Sequence, residues 1–267
     1  MTVYIPTIGR PGNIRAIVPR WLEQGMPIKL IIRPEEYKLC SALRKQEGWY
    51  RRDVGIRILP KSTPIGYGAT RNYIIRYAMK QEERAIIISD DDMRPAHGSD
   101  FGELIYEAAR PGVLGVGAVR SIHDRFTGGA VSRLSGPILC PGGWGFQCFA
   151  INVEQAFRLG NFDPLLHAHG DDAELAREGI AHGIPWRVHT DVWVESIGKR
   201  YAAGGLSTVY SPEERAAAER ECMAIIHHRW PDYTNAPDKP VRTAWQKMLD
   251  FYIPDWREQS AIHGGKL

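Results

Sequence analysis

Residues Ala85 to Met93 read Ala-Ile-Ile-Ile-Ser-Asp-Asp-Asp-Met, and this stretch restricts the fold more than any other. An unbroken apolar run suits a strand buried on both faces, as inside an α/β sheet. Adjacent carboxylates follow it directly. Two unit charges about 4 Å apart repel by roughly 4 kcal/mol at an effective dielectric near 20. Asp90, Asp91 and Asp92 therefore need an offsetting cation. Mg²⁺ and Mn²⁺ fit that need, since they take one or two carboxylates plus phosphate oxygens. Ligands of open α/β sheets bind just outside the carboxyl ends of the strands. The competing reading is a solvated acidic turn capping a helix, as most acidic runs are, although few such turns follow directly on a buried strand.

The rest of the chain supplies the partners such a strand requires. Short strands are expected at Thr2–Pro6, Ile28–Ile32, Val54–Leu59, Val113–Val119, Phe146–Ile151 and Trp186–Glu195. Helices are expected from Pro11 to Glu23, from Pro34, from Ala69 to Met79, from a Ser99 cap to Ala109, from an Asn152 cap to Leu159, and from Asp171 to His182. Strands alternating with helices indicate βαβ units and a mainly parallel sheet. Arg120 to Gly145 is rich in Gly and Ser and reads as a substrate-facing loop, and Gly198 to Thr208 is a basic, Gly-rich segment. Ser211-Pro212-Glu213-Glu214 has Ser at the N-cap, Pro at N1 and Glu at N3, a strong helix start. A linker, Pro231–Pro240, and a last helix, Val241–Tyr252, complete the chain.

The 267 residues, 43% hydrophobic and 24% charged, suit one large domain or two small ones with an ample core. A net charge of +3 permits a polyanionic partner without demanding one. Cys40, Cys140, Cys148 and Cys222 form no Cys-x-x-Cys pair and no zinc spacing, so reduced, buried thiols are expected. There is no secretory leader pattern and no apolar run of the roughly 20 residues a bilayer requires. A soluble, cytoplasmic protein with no membrane partner is the expectation.

Asp90-x-Asp92 gains meaning from its place after Ile-Ile-Ile-Ser. In that setting it resembles the metal motif of nucleotide-sugar glycosyltransferases of the GT-A fold. Three further stretches resemble the same family. Tyr4-Ile5-Pro6-Thr7-Ile8-Gly9-Arg10 is similar to its opening strand and base-cradling loop, and Gly68-Ala69-Thr70-Arg71-Asn72 to its Gly-x-x-Arg-Asn element. Gly160-Asn161-Phe162-Asp163 followed by Gly170-Asp171-Asp172-Ala173-Glu174-Leu175 is similar to the acidic block of its inverting members.

The resemblance implies a Rossmann-like, mainly parallel central sheet flanked by helices. Residues 1–210 would form the GT-A domain, with a nucleotide-sugar half (1–95) and an acceptor half (96–210), and 211–267 a C-terminal helical extension. It implies a nucleotide-sugar donor, a UDP-sugar by the same resemblance, and Mn²⁺ or Mg²⁺. Donor contacts fall to Pro6, Thr7, Gly9, Arg10, Arg71, Asn72, Asp90, Asp91 and Lys199. The metal falls to Asp92 and Asp90, with His189 as third ligand; by family offset, Glu195 or Ser196 stands where a histidine is usual. The base that takes the acceptor proton is Asp172, or Asp171 next to it; a capping role for both is the alternative. Trp144 and Gly143 in Pro141–Phe146, and His169 beside the acidic block, are the acceptor contacts.

The triple Asp and the Arg- and Trp-rich later part look like phage TET-associated glycosyltransferases, which modify hydroxymethylated pyrimidines in DNA. A DNA acceptor requires phosphate contacts and an extruded base met by aromatics. Arg120, Arg125, Arg133, Arg200, Arg229, Arg242, Trp144 and Trp230 are the residues available for this. Two other readings compete. One is a polysaccharide or protein acceptor. The other is a nucleotide-binding protein without transfer. A haloacid-dehalogenase-type phosphatase expects Thr or Val where Arg94 stands.

Overall fold

The short apolar runs of the first half become strands, and the helices between them cross over to cover the sheet. The computed structural model describes residues 1–121, 129–139, 147–168, 170–197, 210–230, 250–255 and 258. β1 (Val3–Pro6), α1 (Pro11–Glu23), β2 (Ile28–Ile32), α2 (Tyr37–Gln46) and β3 (Val54–Ile58) alternate, and α3 (Tyr67–Lys80) then returns the chain to β4 (Ala85–Ser89). The second half contains β5 (Met93–Pro95), α4 (Phe101–Ala108), β6 (Gly115–Arg120), β7 (Pro137–Leu139), β8 (Cys148–Asn152) and α5 (Val153–Arg158). It continues through α6 (Asp171–Ala181) and β9 (Trp186–Ser196) to α7 (Pro212–Arg229).

The sheet order is β3-β2-β1-β4-β8-β6-β9-β5, with β7 also on β9. From β3 to β4 every pair is parallel. Beyond β4 the sheet is mixed: β8 runs antiparallel to β4 and β6, and β9 parallel to β6 but antiparallel to β5 and β7. The expected mainly parallel sheet thus holds in the N-terminal half. Strand direction is set by the connection, which an apolar run does not encode. The chain builds outward from β1 to β3, then crosses back to place β4 on the other side of β1. That reversal makes a switch point, and the crevice beyond the carboxyl ends of β1 and β4 is where ligands collect.

Alternate side chains of each strand enter opposite layers. Val3, Ile5 and Ile87 pack with Ile14, Trp21 and Phe101 on one side of the sheet. Tyr4, Ile86 and Ile88 pack with Ile74, Ile75 and Leu175 on the other. A strand buried on both faces is what the Ala85–Ser89 run required, and all five of its residues are buried.

Asn152 caps α5 as expected. Ser211 and Glu214 form the expected capping box of α7. The α4 cap is Asp100 rather than Ser99. Ser99 Oγ instead accepts the Trp193 N–H at 2.9 Å, a long-range bond that local sequence does not announce. Cys40, Cys148 and Cys222 are buried and unbridged, as expected, and Cys140 lies outside the described residues. Of the last expected helix, Asp250–Tyr252 are helical and the rest lies outside the described residues. Among the described residues no helix is long and apolar enough to cross a membrane.

Candidate active site

The loop after β1 is held by the middle carboxylate of the acidic run. Thr7 Oγ1 donates to Asp91 Oδ2 at 2.7 Å, and Arg10 Nη1 donates to Asp91 Oδ1 at 2.8 Å. Gly9 N–H donates to Glu36, which also accepts from the Arg33 N–H. Asp91 is buried, which raises its pKa, and Arg10 opposes the rise. Both Asp91 oxygens are committed to the loop. Asp91 thus orders Thr7 and Arg10.

Asp90 and Asp92 flank it at the mouth of the crevice and are partly accessible. Dense surroundings push the Asp90 carboxyl up to about 8, and Asp92, Asp91 and Asp172 add to the rise while Arg71 opposes it. A carboxylate costs free energy to bury unless a cation answers it.

Arg71, from the first turns of α3, pairs with the second acidic block and lowers the cost of the charge on Asp90 in the first. Its Nη1 lies 2.9 Å from Asp171 Oδ2 and 3.5 Å from Asp172 Oδ2. The guanidinium is buried and flanked by the rings of Tyr67, Phe149 and Phe162. The two aspartates differ in access: 2% of the Asp171 side chain is exposed and 24% of that of Asp172. Burial raises Asp171 to about 7 despite Arg71. Asp172 Oδ1 accepts the Ala173 N–H at the start of α6, where the helix dipole favours negative charge.

The loop before α6 is clasped by α3. Asn72 donates to the Phe162 carbonyl at 2.6 Å and accepts the Phe162 N–H at 2.9 Å. Its amide thus ties α3 to this loop. A Cβ at Gly68 would meet the Asp163 carbonyl oxygen at 2.6 Å, so glycine allows this close approach. Gly170 has φ +82°, and a Cβ there would meet Ile226 Cδ1 at 2.3 Å. Ile226 belongs to α7, which packs Ala218, Cys222 and Ile226 against Leu166, Ala168 and Ala173. Arg229 ends that helix on Asp163 at 2.5 Å and Glu174 at 2.7 Å. The helix after Ser211 therefore buttresses the acidic loop.

His189 is not near the first acidic block. It pairs with Ala118 in β6 and Pro137 in β7. Beside Asp92 lie Ser196, the last residue of β9, opposite Met93, and the following Ile197, whose N–H donates to the Asp92 carbonyl at 2.9 Å. Among the described residues no group of three His, Cys, Asp or Glu side chains is gathered, so His189 does not stand with Asp90 and Asp92 as a preformed set. Glu195, the alternative by offset, pairs with Arg94 at 3.0 Å. Lys199, Gly143, Trp144 and His169 lie outside the described residues.

Sequence reasoning missed Tyr67, the first residue of α3, which the fold places against Arg71. The only local signal was its position just before the Gly-x-x-Arg-Asn element.

No protein family and no curated protein matches the chain. Solved structures do. A mannosyltransferase of Pyrobaculum calidifontis, solved with GDP-Man and Mn²⁺, superposes with a TM-score of 0.57 at 16% identity over 99% of this chain and 84% of that one. A glucose-1-phosphate thymidylyltransferase of Bacillus anthracis gives 0.48 at 9% identity over 82% and 95%. The catalytic domain of Drosophila β1,4-galactosyltransferase 7 gives 0.44 at 11% over 76% and 72%. The superposition on the mannosyltransferase shows the fold alone: a curled α/β sheet flanked by helices.

Proposed function

We propose that this chain is an inverting, metal-dependent glycosyltransferase that moves a sugar from a nucleotide-sugar to a hydroxyl acceptor. The observation that carries the reading is the Arg71 bridge. Arg71 pairs with the acidic start of α6 at 2.9 and 3.5 Å and is coupled electrostatically to Asp90 at the end of β4.

The donor nucleotide would lie over the β1 loop, with Pro6, Thr7, Gly9 and Arg10 held in place by Asp91 and Glu36. Asp92 and Asp90 would hold Mg²⁺ or Mn²⁺. Among the described residues no group of three His, Cys, Asp or Glu side chains forms a cage. That suits a metal bound by one or two carboxylates and completed by phosphate oxygens and water. When bound, the ion would neutralise charge on the departing diphosphate. Asp172, the more accessible of its pair, would accept the acceptor's proton as the hydroxyl oxygen bonds to C1 and the C1–phosphate bond breaks. Asp171, paired with Arg71, would position that carboxylate. Lys199 is proposed as a donor contact, and Gly143, Trp144 and His169 as acceptor contacts, on sequence position. Residues 211–267 are proposed as an extension that serves the same site.

The proposed acceptor is hydroxymethylated pyrimidine in DNA, supported by the sequence resemblance. Arg229 is tied to Asp163 and Glu174, and Arg120 donates to Gln147. Phosphate contacts would therefore fall to Arg133, Arg125, Arg200 and Arg242. The test is incubation with Mn²⁺ and labelled UDP- or GDP-sugars, offered hydroxymethylcytosine DNA, plain DNA or an oligosaccharide. Label on the modified DNA alone supports the full reading, and label on the oligosaccharide redirects the acceptor. Asp92→Ala should abolish metal-dependent donor binding; full retention would sink the metal reading.

Metal affinity should depend on pH with a definite sign. Asp90 must be ionised to ligate, and its carboxyl sits near 8. Mn²⁺ affinity should rise with pH up to about 8, by up to about tenfold per unit where Asp90 is mostly protonated. The same group makes the metal-free protein less stable as pH rises from about 4, where the unfolded chain has already released this proton, to about 8. Calorimetric titration with Mn²⁺ at pH 6, 7 and 8 checks this, and a flat profile would refute it.

A further inference from the structure

Tyr67 stands between the two acidic blocks and has no role in the chemistry described so far. Its backbone is fixed: its N–H donates to the His167 carbonyl at 3.1 Å. The preceding Gly66 has φ +145°, and a Cβ there would lie 2.7 Å from His167 Cβ and 2.8 Å from its carbonyl oxygen, so only glycine fits. The Arg71 guanidinium carbon lies 5.5 Å from the Tyr67 ring centroid. Asp90 from the end of β4 and Asp171 from the start of α6 act electrostatically on its hydroxyl, as do Arg71 and Arg215. Tyr67 is in turn felt by Arg10 of the β1 loop.

Tyr67 is half-buried, and its hydroxyl is not one of the fully buried polar atoms left without a partner, so it is not sealed in the core. Burial pushes it up to about 12, so it stays protonated and able to donate at neutral pH. Phosphate oxygens only accept, and the cations Arg10 of the β1 loop and Arg215 of α7 are both coupled electrostatically to Tyr67. Arg215 sits in the first turn of α7, bonded to Glu219 at 2.9 Å and about half exposed.

We infer that Tyr67 is a substrate-contacting residue whose hydroxyl donates a hydrogen bond to the diphosphate of the donor. The inference rests on the nucleotide-sugar reading above and adds a residue to it. Tyr67→Phe removes one oxygen and keeps the ring against Arg71, so the melting temperature should not change. Tyr73→Phe is the control, because the Tyr73 ring stacks on Tyr77, away from the crevice.

The experiment is calorimetric titration of GDP, GMP, UDP and UMP in the presence of Mn²⁺ against the unaltered protein and both variants. Tyr67→Phe should bind the diphosphate about tenfold more weakly, as for a lost hydrogen bond to a charged group, with the monophosphate little changed. Tyr73→Phe should match the unaltered protein. Undiminished diphosphate binding by Tyr67→Phe, or an equal loss toward monophosphate and diphosphate, overturns the assignment of Tyr67 alone. No nucleotide binding by the unaltered protein overturns the donor reading and this inference with it.

Discussion

Asp172→Asn is expected to lower sugar transfer by about 10²- to 10⁴-fold, the usual contribution of a positioned general base, while leaving nucleotide-sugar binding intact. Asparagine keeps the side-chain oxygen that accepts the Ala173 N–H, so the start of α6 should hold. What it removes is the capacity to take a proton. Donor consumption can be followed as nucleoside diphosphate release, with binding measured separately. Access singles out Asp172, because Asp171 is buried against Arg71 and has little exposed surface to offer an acceptor. If Asp172→Asn turned over normally and Asp171→Asn did not, the base would be reassigned to Asp171. Full turnover by both variants would end the inverting-base reading.

Arg71→Met should be the most damaging single change to stability. Removing one partner of a buried ion pair leaves an uncompensated charge, at a cost of about 3–5 kcal/mol. Here one guanidinium answers Asp171 at 2.9 Å and Asp172 at 3.5 Å and lowers the cost of Asp90 as well. Urea denaturation should show the loss. Without Arg71, Asp171 should hold its proton to higher pH, because Arg71 is the main influence opposing the rise. The variant's deficit should therefore be smaller at pH 5.5 than at pH 8, since protonated Asp171 needs no cation. Arg71→Met combined with Asp171→Asn should recover part of the loss. A single variant with the midpoint of the unaltered protein would show that the bridge does not stabilise the fold.

Much of the fold was legible because it rests on local chemistry. The Ala85–Ser89 run had to be buried on both faces, and it is. The capping box at Ser211 and the cap at Asn152 depend on residues within one turn, and both form as read. Ser99 misled because its hydroxyl serves a strand far along the chain rather than its own helix. The surroundings of His189 are likewise hidden from local sequence. Its place in β9 is set by pairing with β6, where the register shifts between Ala118 and Val119, and no local pattern states that shift.

By itself the sequence determined that Asp90, Asp91 and Asp92 stand at the end of a buried strand, and that Asp171 and Asp172 open a helix. Strand burial and helix starts are decided by residues a few positions apart. Only the tertiary structure decided how those carboxylates divide their work. Asp91 is spent on Thr7 and Arg10, Asp171 is sealed against Arg71, and Asp172 keeps an open side. Tyr67 and the buttress of Ile226 and Arg229 were likewise invisible until α3 and α7 closed on the loop before α6. The physical reason is that burial and charge pairing are properties of the neighbours a side chain acquires, and here those neighbours come from distant parts of the chain.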